Sequence, residues 1–178
     1  LEPQETETVL VGLGANLGDA AGALRAAAAV LTELGGGAGR VRTSSLWRSD
    51  PVDCPPGSPS FLNAVVAFPA PGGTTPEGLL AMLQALERDR GRRRGGVRNA
   101  PRLLDLDLLA FGQRRRQTGV LVLPHPRAPR RAFVLAPCAE VAPEFPWPGT
   151  GRTVAELLAA LPGPLAVERV APLRLPSP

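Results

Sequence analysis

Leu103-Leu104-Asp105-Leu106-Asp107-Leu108-Leu109 is the stretch that decides how this chain folds. Five of its seven residues are leucine, a density that predicts a buried strand from Leu103 to Phe111. Along a strand, residues i and i+2 share a face, roughly 7 Å apart at ~3.4 Å per residue. Leu104, Leu106 and Leu108 then point one way, and Asp105 and Asp107 the other. Two neighbouring carboxylates on a largely buried strand repel, and leaving them unpaired costs on the order of several kcal/mol each. A cation has to compensate. Mg2+ is usually held by one or two carboxylates together with substrate phosphates. Just upstream, Arg88, Arg90, Arg92, Arg93, Arg94, Arg98 and Arg102 form a cluster that suits a polyanionic ligand. Two other readings stay open at this point. The Asp pair can sit on the solvated face of an edge strand or pair with these arginines, and the arginines can form a solvated basic loop.

Outward from this strand, the periodicity gives an order of elements. Val9 to Gly14 reads as a first strand, followed by a glycine-rich turn, Gly12 to Asp19. Ala21 to Leu34 reads as a helix with Asp19 as its cap, ended by Gly35-Gly36-Gly37. Arg40 to Trp47 is a second strand, Asp50 to Pro59 a proline-rich loop, and Phe61 to Phe68 a third strand. Pro76 to Arg88 places Leu79, Leu80, Leu83 and Leu86 at helical spacing behind an initial proline. Gly91 to Pro101 is a second loop, which should act as a closing lid, and the Asp-bearing strand follows. Beyond it come a basic turn (Gly112 to Gly119), a short apolar strand (Val120 to Leu123) and helices starting near Arg130 and Val154. The order β-α-β-β-α-β predicts an α+β, ferredoxin-like core: a mainly antiparallel sheet with helices on one face, plus extra C-terminal elements. Residues 1–178 should form one domain, with 1–8 and 162–178 as peripheral tails.

The chain's 178 residues suffice for one real core, and no apolar run approaches a membrane span. All 20 basic residues are arginine, yet the net charge is only +4, so arginine excess alone does not argue for nucleic-acid binding. Cys54 and Cys138 lie far apart in sequence and form no CxxC pair, which suggests free thiols in a reducing, cytoplasmic compartment. The turn at Gly12 to Gly18 lacks the Gly-Lys-Ser/Thr ending of a phosphate-binding loop and reads as structural, shaping the entry to the first helix.

Four segments in register resemble the 6-hydroxymethyl-7,8-dihydropterin pyrophosphokinase family. Arg98 to Leu109 fits that family's basic-x-small-Pro-Arg-x-x-Asp-Leu-Asp pattern at every position. Gly12 to Asp19 resembles its N-terminal turn, Phe61-Leu62-Asn63-Ala64-Val65 its pterin-site strand, and Pro124-His125-Pro126-Arg127 with Arg131 and Phe133 its later nucleotide and pterin segment. The resemblance implies transfer of a pyrophosphoryl group from ATP, as co-substrate, to the hydroxymethyl oxygen of the pterin, in folate biosynthesis. It implies two Mg2+ ions at Asp105 and Asp107, and Arg92 and Arg102 as catalytic phosphate contacts. Gln84, Glu87, Arg94, His125 and Arg131 would join Arg92 and Arg102 around ATP. Ser49, Val52, Phe61, Asn63 and Phe133 would hold the pterin, the two phenylalanines by stacking and Asn63 through an amide that offers donors and an acceptor. The implied partners are these small molecules, with no nucleic acid, no membrane and a monomeric chain. The sequence departs from the family where Asn99 and Ala100 replace a common Trp and Gly, at Asp50, and at Val120-Leu121-Val122.

Two rivals would use the same elements. A nucleotidyl or phosphoryl transferase could carry Asp-x-Asp on a similar sheet, but would not need Asn63 between two aromatics. A ferredoxin-like RNA-binding module would expose aromatics among basic residues on its central strands. Here the charged strand is acidic.

Overall fold

The computed structural model describes residues 6–90 and 103–175. The expected loop Gly91 to Pro101, and with it Arg92, Arg94, Arg98 and Asn99, lies outside the described residues, as does Arg102. In chain order the elements are β1 (Thr8–Ala15), α1 (Ala20–Leu34), β2 (Arg42–Thr43), β3 (Ser45–Ser49), β4 (Phe61–Pro69), α2 (Pro76–Asp89) and β5 (Asp105–Phe111). The short ribbon β6 (Arg116–Gln117) and β7 (Val122–Leu123) follows, then a 3-10 turn at Ala128–Arg130 and α3 (Ala132–Val141). A second ribbon, β8 (Pro146–Trp147) and β9 (Arg152–Thr153), leads to α4 (Val154–Ala159) and β10 (Val167–Pro172).

One antiparallel sheet runs in the order β10-β3-β4-β1-β5, with β2 also paired to β4. Two apolar layers enclose it. On the first face, Val9, Val11 and Leu13 of β1, Val66 and Phe68 of β4, and Leu106, Leu108 and Phe111 of β5 meet Leu24, Ala27, Ala28 and Leu31 of α1 and Leu79 and Leu83 of α2. The helices begin where short polar side chains satisfy their first N–H groups. Asp19 accepts from Gly22 N at 2.9 Å, as expected, and Thr75 accepts from Gly78 N at 3.1 Å ahead of Pro76. Gly35 ends α1 at a close approach, since a Cβ there would lie 2.6 Å from Val41 Cγ2.

The expectation of helices on one face holds for α1 and α2 but not for the chain. On the second face, Leu10, Val65, Ala67, Leu109 and Ala110 are covered by Leu135, Cys138 and Val141 of α3, Val154 and Leu157 of α4, and Trp147. The continuous apolar run Leu108 to Phe111 is buried on both faces, which a single helical layer cannot achieve. Nor is the C-terminal segment beyond Pro162 wholly a peripheral tail. β10 pairs with β3 from Val167↔Ser49 to Pro172↔Ser45 and forms the sheet's edge, and Leu173 enters the first apolar layer. Its side chains are mostly exposed, so no hydrophobic alternation announces it.

Bulges set the registers of the central strands. Between Thr43↔Val66 and Trp47↔Asn63 the first strand gains one residue, so the expected strand Arg40 to Trp47 divides into β2 and β3. Ser44 bridges the break: its N–H donates to Val65 O, and its hydroxyl accepts from Val65 N at 2.9 Å. Between Leu10↔Ala110 and Val11↔Leu108, Leu109 is the extra residue of β5. Leu108 therefore faces the first layer, while Leu109 and Ala110 both face the second.

Candidate active site

Register alone assembles the polar part of the second face. Residues directly opposite in an antiparallel pair project to the same side. Gly14 lies opposite both Asp105 and Asn63, and Asn63 lies opposite Trp47. One line across four strands therefore reads Asp105, Gly14, Asn63, Trp47. The adjacent line reads Asp107, Gly12, Val65. As the leucine alternation predicts, Leu104, Leu106 and Leu108 are buried on the opposite face while Asp105 and Asp107 are half-buried. The two carboxylates and the Asn63 amide thus share one face, separated by two residues with no side chain.

Asn63 is 6% exposed. Its Nδ2 donates to Ser49 Oγ at 2.8 Å and to Trp47 O at 3.3 Å, so Ser49 and Asn63 meet as expected. Phe61 is opposite Ser49 and half-buried. Val52 is 64% exposed on the proline-rich loop. That loop is tied to the first strand by Asn16, a buried amide whose Nδ2 donates to Pro59 O at 3.2 Å.

The segment after β7 brings cations to the Asp pair. His125 N–H donates to the carbonyl of the bulge residue Leu109 at 2.8 Å. Its Nδ1 accepts from Arg127 N at 3.2 Å, which leaves the proton of the neutral ring on Nε2. Burial, then the nearby charges of Arg131 and Arg127, lower its pKa, while Asp105 acts in the opposite direction. Burial and Arg127 also press the Arg131 pKa down, opposed by Asp107, Asp53 and Asp105. The Arg131 guanidinium lies 5.3 Å from the ring centroid of half-buried Phe133, which joins the two residues in a cation–π pair. Asp105, Asp107, His125, Arg131 and Phe133 therefore form one neighbourhood.

Glu87 approaches from the other side. It follows Leu79 and Leu83 on the buried stripe of α2, and its Oε1 accepts from Leu106 N at 2.8 Å, between the two aspartates. Its carboxylate thus pins the outer edge of the Asp-bearing strand. Gln84, one turn earlier, is half-buried. The sequence reading missed the glycines. It ran the first strand to Gly14 and read Gly12 to Gly18 as shaping the entry to α1, but gave Gly12 and Gly14 no part in the site, where they form the floor between the polar groups. The signal was available: glycine at i and i+2 of an apolar strand leaves one face bare.

The donor set is hard oxygen from two carboxylates on an accessible face, with nitrogen cations beside it. That set suits Mg2+ shared with phosphates better than a closed protein cage. Among the described residues, no helix is long and apolar enough to cross a membrane.

A pyrophosphokinase from Synechocystis sp., acting on 2-amino-4-hydroxy-6-hydroxymethyldihydropteridine by name, is 37% identical over 88% of this chain and 77% of its own length. The Pseudomonas aeruginosa protein of the same name is 40% identical over 88% of this chain and 93% of its own. Among solved structures, Plasmodium falciparum HPPK-DHPS with pteroate superposes with a TM-score of 0.63 at 14% identity, a likeness of fold. It covers 89% of this chain, which spans 43% of that longer one. The family model for 7,8-dihydro-6-hydroxymethylpterin-pyrophosphokinase (HPPK) matches residues 10–143, and the chain belongs to that family.

Proposed function

We propose that this chain transfers a pyrophosphoryl group from ATP to 6-hydroxymethyl-7,8-dihydropterin, giving AMP and the pterin diphosphate in folate biosynthesis. The observation that carries the proposal is the shared face of Asp105, Asp107 and Asn63 across Gly12 and Gly14, in a chain of the HPPK family. The hydroxymethyl oxygen attacks the β-phosphorus and loses its proton to solvent. The new O–P bond forms as the α–β bridging bond breaks, and AMP departs. Asp105 and Asp107 would hold two Mg2+ ions, which when bound neutralise charge on the attacking and departing oxygens.

Other residues take roles consistent with their surroundings. Arg131, and His125 through Nε2–H, are disposed to donate to phosphate oxygens, and Gln84 and Glu87 flank the same strand from α2. Arg92, Arg94 and Arg102 would add positive charge where it develops on the phosphates. Asn63 and Ser49 would read the pterin edge, with Phe61 and Phe133 against its faces and Val52 closing from the loop. We read the strand order β3-β4-β1-β5 with α1 and α2 as a ferredoxin-like core, and residues 1–178 as one domain acting as a monomer in the cytoplasm. The free thiols of Cys54 and Cys138 support a reducing compartment. Incubation with ATP, Mg2+ and the pterin tests the reading. AMP and pterin diphosphate are expected, and release of ADP, or no pterin-dependent turnover, would overturn it.

A further inference from the structure

We propose that a cavity at the end of the sheet opposite the Asp pair binds an oxyanion of the phosphate class, held between Arg40 and Arg42. Thr8, Arg40, Arg42, Ala67, Phe68 and Pro69 line it, around a volume of about 260 Å3. Thr8 lies opposite Pro69 in the register, whereas Gly14 lies opposite Asn63. Six residues of β1 therefore separate the two places, roughly 20 Å at ~3.4 Å per residue. The site is independent of the pterin reading, and none of its residues takes part in the transfer proposed above.

The cavity follows from how the strands end. Arg42 lies opposite Ala67, so its side chain stands on the second face beside a methyl group. Thr8 and Pro69 fall on that face too, by alternation from Leu10 and Ala67. Pro69 has no N–H with which to extend the ladder. Arg40 reaches the same place from the turn after α1. Its side chain lies over Gly36, where an added Cβ would come 3.3 Å from Arg40 Cδ and 3.5 Å from Nη1. Gly36 has a φ of +91°, a left-handed conformation open to glycine. The bare turn thus lets the Arg40 stem lie against it and fixes where the guanidinium stands.

Charge decides what belongs there. Arg40 and Arg42 are exposed, and neither makes an ion pair among the described residues. Glu7, the acid next to Thr8, is already held by Arg114, whose Nη2 lies 2.6 Å from Oε2 and whose Nε donates to both oxygens. Glu33, in the last turn of α1, pairs with neither arginine. The cavity therefore presents two positive charges and the Thr8 hydroxyl, with no acid among the described residues to balance them. Like charges held at one opening repel, and an anion between them relieves that repulsion. Each guanidinium is a planar fork that matches two oxygens of one anion. Two forks suit a dianion better than a single carboxylate. The volume falls below that of sites enclosing a whole drug-sized ligand. It suits one phosphate group, either the free ion or the end of a small phosphate ester.

The test is nuclear magnetic resonance on isotope-labelled protein, titrated at constant ionic strength with inorganic phosphate, glycerol phosphate or acetate. The amide signals of Thr8, Arg42, Ala67 and Phe68 report the cavity, and those of Leu106 and His125 report the polar end in the same sample. Phosphate or its ester should move the first group saturably, with a Kd of about a millimolar. Whichever saturates at the lower concentration identifies the source, free ion or ester. Arg40→Gln and Arg42→Gln should each weaken that response roughly tenfold, the scale of one lost charge-assisted bond. The responses of Leu106 and His125 should stay as in wild type. No saturable movement at the cavity overturns the proposal. So does movement that survives both substitutions, and so does acetate acting as strongly as phosphate, which would reduce the effect to general screening. If either substitution unfolds the chain, the wild-type comparison of phosphate with acetate decides alone.

Discussion

The face of the sheet turned away from α1 and α2 is apolar at one end and polar at the other, although β1, β4 and β5 supply both. Towards Leu10, Ala67 and Leu109, α3 and α4 close it with Leu135, Cys138, Val154 and Leu157. Towards Gly14, Asn63 and Asp105, the same strands present two carboxylates, an amide and two glycines. The change falls at the Leu109 bulge, whose carbonyl also receives the N–H of His125. Chemistry here is positioned by strand register where the covering layer stops. The apolar end stabilises, and the polar end inherits its geometry.

The sharpest way to break that division is at the carboxylates. Asp105→Asn and Asp107→Asn should each lower the rate of AMP formation by on the order of a thousandfold or more, since several kcal/mol of charge stabilisation would be lost. Their circular dichroism and unfolding midpoints should match wild type, because neither side chain belongs to an apolar layer. Near-normal turnover of either variant would remove the metal role from this end. At the apolar end the outcome should reverse. Leu135→Ala empties a fully buried position and should cost about 2–5 kcal/mol in urea unfolding. Its KM values should stay close to wild type at a temperature where it remains folded, and a selective loss of pterin binding would show that the two ends are not separable.

A smaller effect sharpens the comparison within the polar end. Asn63→Ala removes the only amide on that line and leaves the bound pterin edge unpaired. Affinity for the pterin should fall by roughly 1–3 kcal/mol, about ten- to a hundredfold, with the ATP analogue bound as before. Equal weakening of both ligands in calorimetry would place Asn63 in the scaffold and not at the pterin edge.

How much of this was legible depended on whether a residue's neighbours lie close in sequence. The Asp pair was legible because Leu104, Leu106 and Leu108 fix its face by alternation. Asp19 and Pro76 announced their helices through local capping chemistry. β10 was illegible because an exposed edge strand carries no apolar period, and its pairing with β3 is set by residues more than a hundred positions away. The second helical layer was hidden for a related reason: the sequence marks α3 and α4 as helices but not the face they cover. Glu87 stood in plain view as a charged residue on the Leu79–Leu83 stripe, yet the strand N–H that it meets belongs to another element. Gly12 and Gly14, where the first strand runs into the glycine-rich turn, gave no sign of the site because the role of a glycine is ambiguous until the register shows what stands on either side.

The smallest expected effect concerns proton balance at the polar end. Burial and the charges of Arg131 and Arg127 hold the His125 pKa below its ordinary value of 6.5. As pH falls through about 6.5, the unfolded chain takes up a proton on this imidazole that the folded protein resists. Unfolding then gains protons, so this group's contribution is fully present above that pH and declines below it, until the folded ring itself titrates. His125→Gln lacks the group. The stability difference between wild type and His125→Gln, measured by urea unfolding from pH 7.5 to pH 5, should therefore shift against wild type on the acid side. Carboxylate titrations shared by the two proteins cancel in that difference. Phosphate oxygens beside Arg131 and Arg127 would offset the positive charges that now disfavour the imidazolium, so binding of the ATP analogue near pH 6 should take up protons in wild type and fewer in His125→Gln. Calorimetry in two buffers of different ionisation enthalpy reads that uptake directly. Parallel stability profiles with equal proton uptake would show that His125 titrates independently of the polar end, and that its bond to the bulge carbonyl is only a brace.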